Sequence, residues 1–398
     1  MLNTRLRPLA FLLCAICAIP AGAGPNDALH LYANVGYGHD DNLLRVPDNS
    51  PGFDNQRADS WWEREGGLIF DKTYSRQRIA IVAKVSKFNF DHFKQLDYDG
   101  KDVQANWYWQ LGNHLEGKAG YTYEQTLAPY TDFASDQRNL RRSRSTYAEG
   151  AWRFHPSWRV RTGFQRDKYD YELVEQRFND RTEDASELEL DYLPRSGNTV
   201  GLVARHVKGH YPFPRPRGGV FLNDDFTQDE LKARVKWTVT GSSSIDALVG
   251  YTQRDQPSYG PGKTSGFAGK VNLTYQPRGK MTYTASVWRD FAPLESTLVS
   301  YTLNDGAAVG AHWDATAKIR VNADFSAERR NYSARETFGK VGDLRDSIRT
   351  GSLRATWAPR PTLQVTLGAA HQASTGSPTI GTASFKSNSV TLSASAQF

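Results

Sequence analysis

Runs of about ten residues in which apolar and polar side chains alternate recur along most of this chain. That repeat constrains the fold more than any other feature. Val103-Ala105-Trp107-Trp109-Leu111 interleaves with Gln104-Asn106-Tyr108-Gln110, and Leu231-Ala233-Val235-Trp237-Val239 with Lys232-Arg234-Lys236-Thr238. Ile319-Val321-Ala323-Phe325-Ala327 and Leu363-Val365-Leu367-Ala369 repeat the pattern. A period of two sends one set of side chains to each face of a strand. About ten residues is also what a tilted strand needs to cross a bilayer. One face is apolar and the other carries full charges. A soluble sandwich alternates too, so the connections have to decide.

Those connections alternate in length. Short turns are expected at 72–75, 112–114, 155–157, 194–197, 240–243, 277–279, 314–317 and 358–361. Longer ones fall between them, at 39–59, 91–97, 128–142, 173–181, 212–224, 256–262, 292–297, 334–343 and 373–384. Short turns at one end and long loops at the other is the pattern of an outer-membrane barrel, with the short turns periplasmic. Several short turns carry an aromatic residue just ahead of a proline: Phe154 before Pro156, Tyr192 before Pro194, Tyr275 before Pro277 and Trp357 before Pro359. Proline cannot donate to a ladder and belongs at a turn, so the ring before it is expected at the lower membrane interface. Counting a strand on each side of every connection predicts an all-β, antiparallel transmembrane barrel of about eighteen strands, from Leu29–Gly38 to 385–398. An even count puts both termini on the periplasmic side. A barrel of that width can hold an aqueous lumen.

Residues 1–23 read as a cleaved signal peptide, leaving 24–398 as the barrel. Arg5 and Arg7 precede an apolar run from Leu9 to Ile19, and Ala21-Gly22-Ala23 supplies the small residues of a cleavage site. The run is too short for a membrane-spanning helix. Cys14 and Cys17 would serve a lipoprotein reading, but Leu12-Leu13 and Ala15-Ile16 fit its requirement for a small preceding residue poorly. Both cysteines lie in the leader, so the rest has no disulfide, thiolate nucleophile or Cys metal site. The last strand alternates through Val390, Leu392, Ala394 and Ala396 to Phe398, which resembles the signal read by barrel-assembly machinery.

If the apolar face meets lipid, the other lines the lumen. Basic candidates there include Lys84, Lys118, Arg205 and Arg254, and acidic ones Glu116, Glu187, Glu189, Asp191, Asp246 and Asp324. The interior is expected to hold both signs with a modest basic excess. Arg153, Arg159 and Arg161 with Lys232, Arg234 and Lys236 form the set proposed to contact a passing polymer. Structural ion pairing is the plainer use for any one of them. No catalytic residues are assigned, because the nine His are scattered without a motif. His39-Asp40-Asp41-Asn42 has no second cluster spaced for ligation, so no metal and no cofactor are expected. The stiff basic stretch 211–219 is expected to cap the mouth, and 128–142 or 212–224 to fold inward. Net charge is +6, interleaved with acids, which argues against nucleic-acid binding.

Several strings are similar to the β-barrel porin family that includes EpsL. They are Tyr37-Gly38-His39-Asp40-Asp41-Asn42-Leu43-Leu44-Arg45, the stretches 67–77 and 96–102, Trp107-Tyr108-Trp109-Gln110-Leu111-Gly112-Asn113 and Arg138-Asn139-Leu140-Arg141. The resemblance is dense from 31 to 145 and continues to Phe398 through strand pattern alone. It implies an outer-membrane protein of exopolysaccharide biosynthesis, in bacteria with exosortase and PEP-CTERM sorting, and carries over no catalytic residue. The expected function is a non-enzymatic conduit or export component for a secreted polysaccharide. Its expected partners are outer-membrane lipid, the barrel-assembly machinery, the polysaccharide and other export components. A general diffusion porin or solute-uptake channel, a polymer-modifying barrel enzyme and a soluble exported lectin are the alternatives.

Overall fold

Each alternating segment becomes a strand because its two faces demand different surroundings and its backbone can be satisfied only by neighbours. The computed structural model describes residues 28–131, 133–217, 220–257, 264–293, 301–331, 345–377 and 382–398. The expected leader, 1–23, lies outside them. The first nine strands are β1 (Leu29–Asp40), β2 (Asp59–Tyr74), β3 (Gln77–Phe90), β4 (Tyr98–Leu111), β5 (Leu115–Leu127), β6 (Leu140–His155), β7 (Trp158–Tyr171), β8 (Arg181–Tyr192) and β9 (Thr199–His210). A small hairpin of β10 (Arg215–Arg217) and β11 (Val220–Leu222) follows. The second half comprises β12 (Phe226–Thr240), β13 (Ser243–Asp255), β14 (Thr264–Tyr275), β15 (Met281–Pro293), β16 (Tyr301–Trp313), β17 (Ile319–Asn331), β18 (Arg345–Arg360), β19 (Leu363–Thr375) and β20 (Phe385–Gln397).

β9 pairs with β12 across the small hairpin, and β1 pairs with both β2 and β20. Eighteen antiparallel strands therefore close on themselves, as the connection pattern predicts. Closure leaves no strand edge exposed. The strands are longer than the ten residues expected: they run from 12 to 16.

Outward positions along the middle of the wall are apolar and exposed, among them Phe164, Leu188, Leu202, Leu231, Phe267, Val309, Leu353 and Leu367. At the short-turn end they give way to rings, including Trp107, Trp152, Phe154, Trp158, Tyr192, Trp237, Tyr275, Trp313 and Trp357. The four rings expected ahead of turn prolines are among them. From Leu231 to Val239 the outward face of β12 stays apolar over nine residues. That is roughly 30 Å along the strand and about 22 Å along the normal at 40° tilt, the height of a barrel's lipid band.

The seam between first and last strands is fastened at both ends. At the short-turn end Leu31 and Phe398 exchange two backbone bonds of 2.9 and 2.8 Å. At the other, His39-Asp40-Asp41-Asn42 is a latch. Asp41 accepts from the backbone N–H and the side-chain amide of Asn388, both at 2.7 Å, and Asp40 accepts from Ser387 Oγ at 2.7 Å. Asn42, 1% exposed, donates to Val46 O and Lys386 O and accepts from Val46 N–H. Every group that suggested a metal is bonded within the protein.

The long-loop end is packed from inside. Leu44, Val46, Phe93 and Leu96, from the connections after β1 and β3, bury themselves against Phe90, and Leu127, Tyr130 and Ala134 join them. Asp59 holds the second connection in place by accepting from His92 N–H and Phe93 N–H. Further round, Arg215 is fully buried, ion-paired with Asp224 at 2.7 Å and bonded to Asn179 Oδ1 at 2.9 Å. Of the two loops named as candidates to fold inward, 128–142 contributes Tyr130 and Ala134 to this packing, while 212–224 buries Arg215 and Asp224 and leaves Phe213 and Phe221 exposed.

Candidate functional site

The inward face of β7, β8, β9 and β12 carries the densest charge in the lumen. Register sets it out: Arg159 stands opposite Asp191, Arg161 opposite Glu189, and Glu187 opposite Arg205. Arg159 Nη2 lies 2.7 Å from Asp191 and its Nη1 3.2 Å from Glu116 on β5. Arg161 lies 3.2 Å from Glu189 and 3.8 Å from Asp191. Glu189 and Asp191 are fully buried among these groups.

Arg234 reaches the same carboxylates from β12, across the whole width of β9. It can do so because the intervening position is Gly201, paired with Arg234 on one side and Asp191 on the other. A Cβ at Gly201 would sit 2.4 Å from Asp191 Oδ1. Arg234 Nε comes to 2.5 Å from Glu189 Oε1, an ionic contact without hydrogen-bond alignment. Arg234 Nη2 also lies 3.9 Å from Glu187. Two neighbours complete the row, with Lys232 2.8 Å from Glu230 and Lys236 3.9 Å from Asp246.

Five of the six cations proposed from sequence are thus brought together. Arg153 is not: a register shift between Trp152 and His155 leaves it exposed beside the β6–β7 turn. The carboxylates between the cations were the signal that parity alone could not weigh. Arg159, Arg161, Arg205 and Arg234 face Glu116, Glu187, Glu189 and Asp191, so the local charges balance rather than leaving a basic excess. The pairs brace the wall, and they present a zwitterionic surface to whatever fills the lumen.

Three depressions run into each other along the adjoining wall. The first, about 460 Å³ at the short-turn end, is lined by Arg76, Arg78, Tyr108, Glu116, Lys118 and Arg161. The second, about 350 Å³, shares Lys118 and Glu149 with it and adds Tyr147, Gln165, Glu187 and Arg205. The third, about 420 Å³, meets the second at Ser145 and is lined by Glu124, Arg141, Asp167, Tyr169 and Arg181. Cations lie over the inward aromatic faces: Arg78 over Tyr108 at 5.7 Å, Lys118 over Tyr147 at 5.3 Å and Arg181 over Tyr169 at 3.9 Å. A solute moving along this groove meets acids, bases, amides and phenol edges, with Trp109 and Ala151 in the first depression and Ala148 and Ala185 in the second adding apolar surface between them.

Groups that could do covalent chemistry are few among the described residues. No set of three His, Asp or Glu side chains is arranged to hold a metal ion there. His39 Nδ1 lies 2.9 Å from Ser60 Oγ, but the pair stands on the outer face, away from the lumen. The Ser60 N–H donates to Asp59 Oδ1 at 2.7 Å.

No family model matches the chain, and no curated protein matches it. Solved structures do. A BenF-like porin from Pseudomonas fluorescens Pf-5 superposes with a TM-score of 0.54 at 10% identity, over 93% of this chain and 98% of that one. OccAB3 of Acinetobacter baumannii gives 0.50 at 12%, over 93% and 99%. The outer membrane protein opdK from Pseudomonas aeruginosa gives 0.50 at 10%, over 94% and 99%. At these identities the likeness is one of fold, that of outer-membrane porins.

Proposed function

We propose that this chain is a non-enzymatic channel of a bacterial outer membrane, passing small hydrophilic solutes of mixed charge or many hydroxyls. The observation that carries the reading is the groove of three joined depressions down the inner wall, lined by alternating acids, bases and tyrosines. Such a surface exchanges hydration shells for protein contacts of both signs, and holds no ion tightly because each cation already has a partner. The loops packed into the far mouth narrow the entrance and favour small cargo over a wide stream. In this reading the short turns and both termini face the periplasm, and the apolar band with its aromatic girdle lies in the bilayer. Phe398, in the last turn of the seam, is the group offered to the assembly machinery.

Purified barrel in planar bilayers tests this. Discrete conductance steps, with liposome swelling by amino acids and monosaccharides, are expected. Folded protein that gives no conductance refutes it.

Export of a polysaccharide is the second reading, supported by the resemblance of residues 31–145. A deletion strain that loses polymer from the medium while accumulating it in the periplasm would favour that reading. Unchanged secretion removes it.

A further inference from the structure

The alternation that loads the lumen with charge breaks down on the outer face as well, at the long-loop end of β3–β9. Outward positions there are cationic and exposed. On one row Lys101 and Arg142 flank Gln125, and on the next Arg144 stands directly opposite Lys168. One strand over, Arg166 faces Asp184, which in turn faces Lys208. Counting Lys87, which faces Asp99 beside Lys101, seven cations in this patch meet three outward carboxylates, Asp99, Asp170 and Asp184. Asp170 is shared between Arg144 at 2.9 Å and Lys168 at 3.3 Å. Asp184 is held by Arg166 at 2.6 Å. Lys101 has no carboxylate partner, and Arg142 reaches only the amide oxygen of Gln125 at 3.4 Å.

Position decides what this surplus of four charges is for. The rows lie immediately above Phe164, Leu188 and Leu202, which face outward on the same strands and belong to the lipid-facing band. A side chain one or two rows above that band sits where outer-leaflet headgroups lie. A protein partner would have to enter the membrane interface to reach it, whereas a lipid is already there. Guanidinium groups bind phosphate through parallel N–H bonds, and ammonium groups add charge without directional demand. We propose that this patch docks the phosphate groups of a phosphorylated glycolipid of the outer leaflet. The inference rests on the outer-membrane placement proposed above, and not on the channel activity.

The test uses the full barrel in detergent, with native mass spectrometry counting bound lipid. The probes are a bisphosphorylated glucosamine-disaccharide lipid, its fully dephosphorylated form, and phosphatidylglycerol. The parent is expected to retain the bisphosphorylated lipid at least tenfold more strongly than either of the others. K101Q, R142Q, R144Q and K168Q combined should abolish that preference, at about fivefold per cation. R289Q with D305N, which removes a matched outward pair on β15 and β16 away from the patch, should leave it intact. Equal retention of the bisphosphorylated and dephosphorylated lipids by the parent overturns the proposal, and that comparison needs no variant to fold. Equal retention of phosphatidylglycerol overturns it too, by reducing the patch to a general anionic-lipid surface. A barrel that binds the glycolipid yet conducts nothing keeps this inference and removes the channel.

Discussion

Lys118 lines both of the first two depressions, so its charge should be felt by every ion that passes along the groove. Its Nζ lies 3.7 Å from Glu149, with 39% and 33% of the two side chains exposed. An ion pair that wet contributes about 0–1 kcal/mol to stability, so Lys118→Gln should fold normally. Its effect on permeation is larger. A unit charge acts on an ion about 5 Å away with about 0.8 kcal/mol in water. Screening at 0.1 M salt, where the Debye length is about 10 Å, leaves about 0.5 kcal/mol. That raises local cation density about twofold and lowers anion density about twofold, so the cation-to-anion permeability ratio should rise about fourfold. Lys118→Glu doubles the energy and should carry the ratio above tenfold. In 1 M salt, with a Debye length of about 3 Å, both effects should nearly vanish. Reversal potentials across a tenfold KCl gradient, taken at low and high salt, measure this directly. A Lys118→Glu channel with the parent's selectivity at low salt would show that ions do not travel this wall.

Three further outcomes are expected. Gly201→Ala drives a methyl into Asp191 and closes the gap that Arg234 crosses; a cost of about 1–3 kcal/mol should appear as a lower temperature for loss of the folded band on gels, while Gly241→Ala, with open space around it, should change nothing. Asn42→Ala strips three hydrogen bonds from the seam latch; at about 1 kcal/mol each the folded band should be lost several degrees earlier, and an unshifted profile would deny the latch any role. Burial pushes the Asp180 carboxyl up to about 6, even though it accepts from Tyr171 N–H; a carboxyl raised on folding favours the packed state most at low pH and loses that contribution as pH climbs through about 6. Hydrogen-exchange protection factors at Gln176 and its neighbours, corrected for the intrinsic pH dependence of exchange, should therefore be higher at pH 5 than at pH 7.5, with Asp180→Asn removing the difference.

The strands were legible because a side-chain period of two is a local property, readable wherever five or six residues follow it. Leu231 to Val239 announces both its conformation and its lipid face, and the proline turns at Pro156 and Pro194 mark where it must stop. Pairing across strands was not legible in the same way. That Arg234 serves Glu189, two strands and 45 residues away in sequence, depends on register and on Gly201 being glycine. Arg153 has the right parity and still misses the cluster, because the shift after Trp152 breaks the count. The small hairpin of β10 and β11 eluded the reading as well, since three-residue strands in a proline-rich loop show no alternation. The outer collar went unseen for a different reason. Charges were weighed on the inward parity alone, whereas Lys101, Arg144, Arg166, Lys168 and Lys208 stand on the outward parity within the expected strands. The string His39-Asp40-Asp41-Asn42 was conspicuous in the sequence, but its purpose lay near the other end of the chain.

That last pairing bears on how the cylinder comes to exist at all. Asp41 and Asn388 are separated by 347 positions along the chain, so their bond is among the long-range contacts that close the barrel. By chain statistics, a loop of that size costs about 5 kcal/mol beyond a constant to close. Until it closes, β1 and β20 are two raw edges, each an invitation to a neighbouring molecule. The latch at one rim and the Leu31–Phe398 exchange at the other shorten that exposed interval, which makes the seam a safeguard of assembly as much as a support of the finished wall.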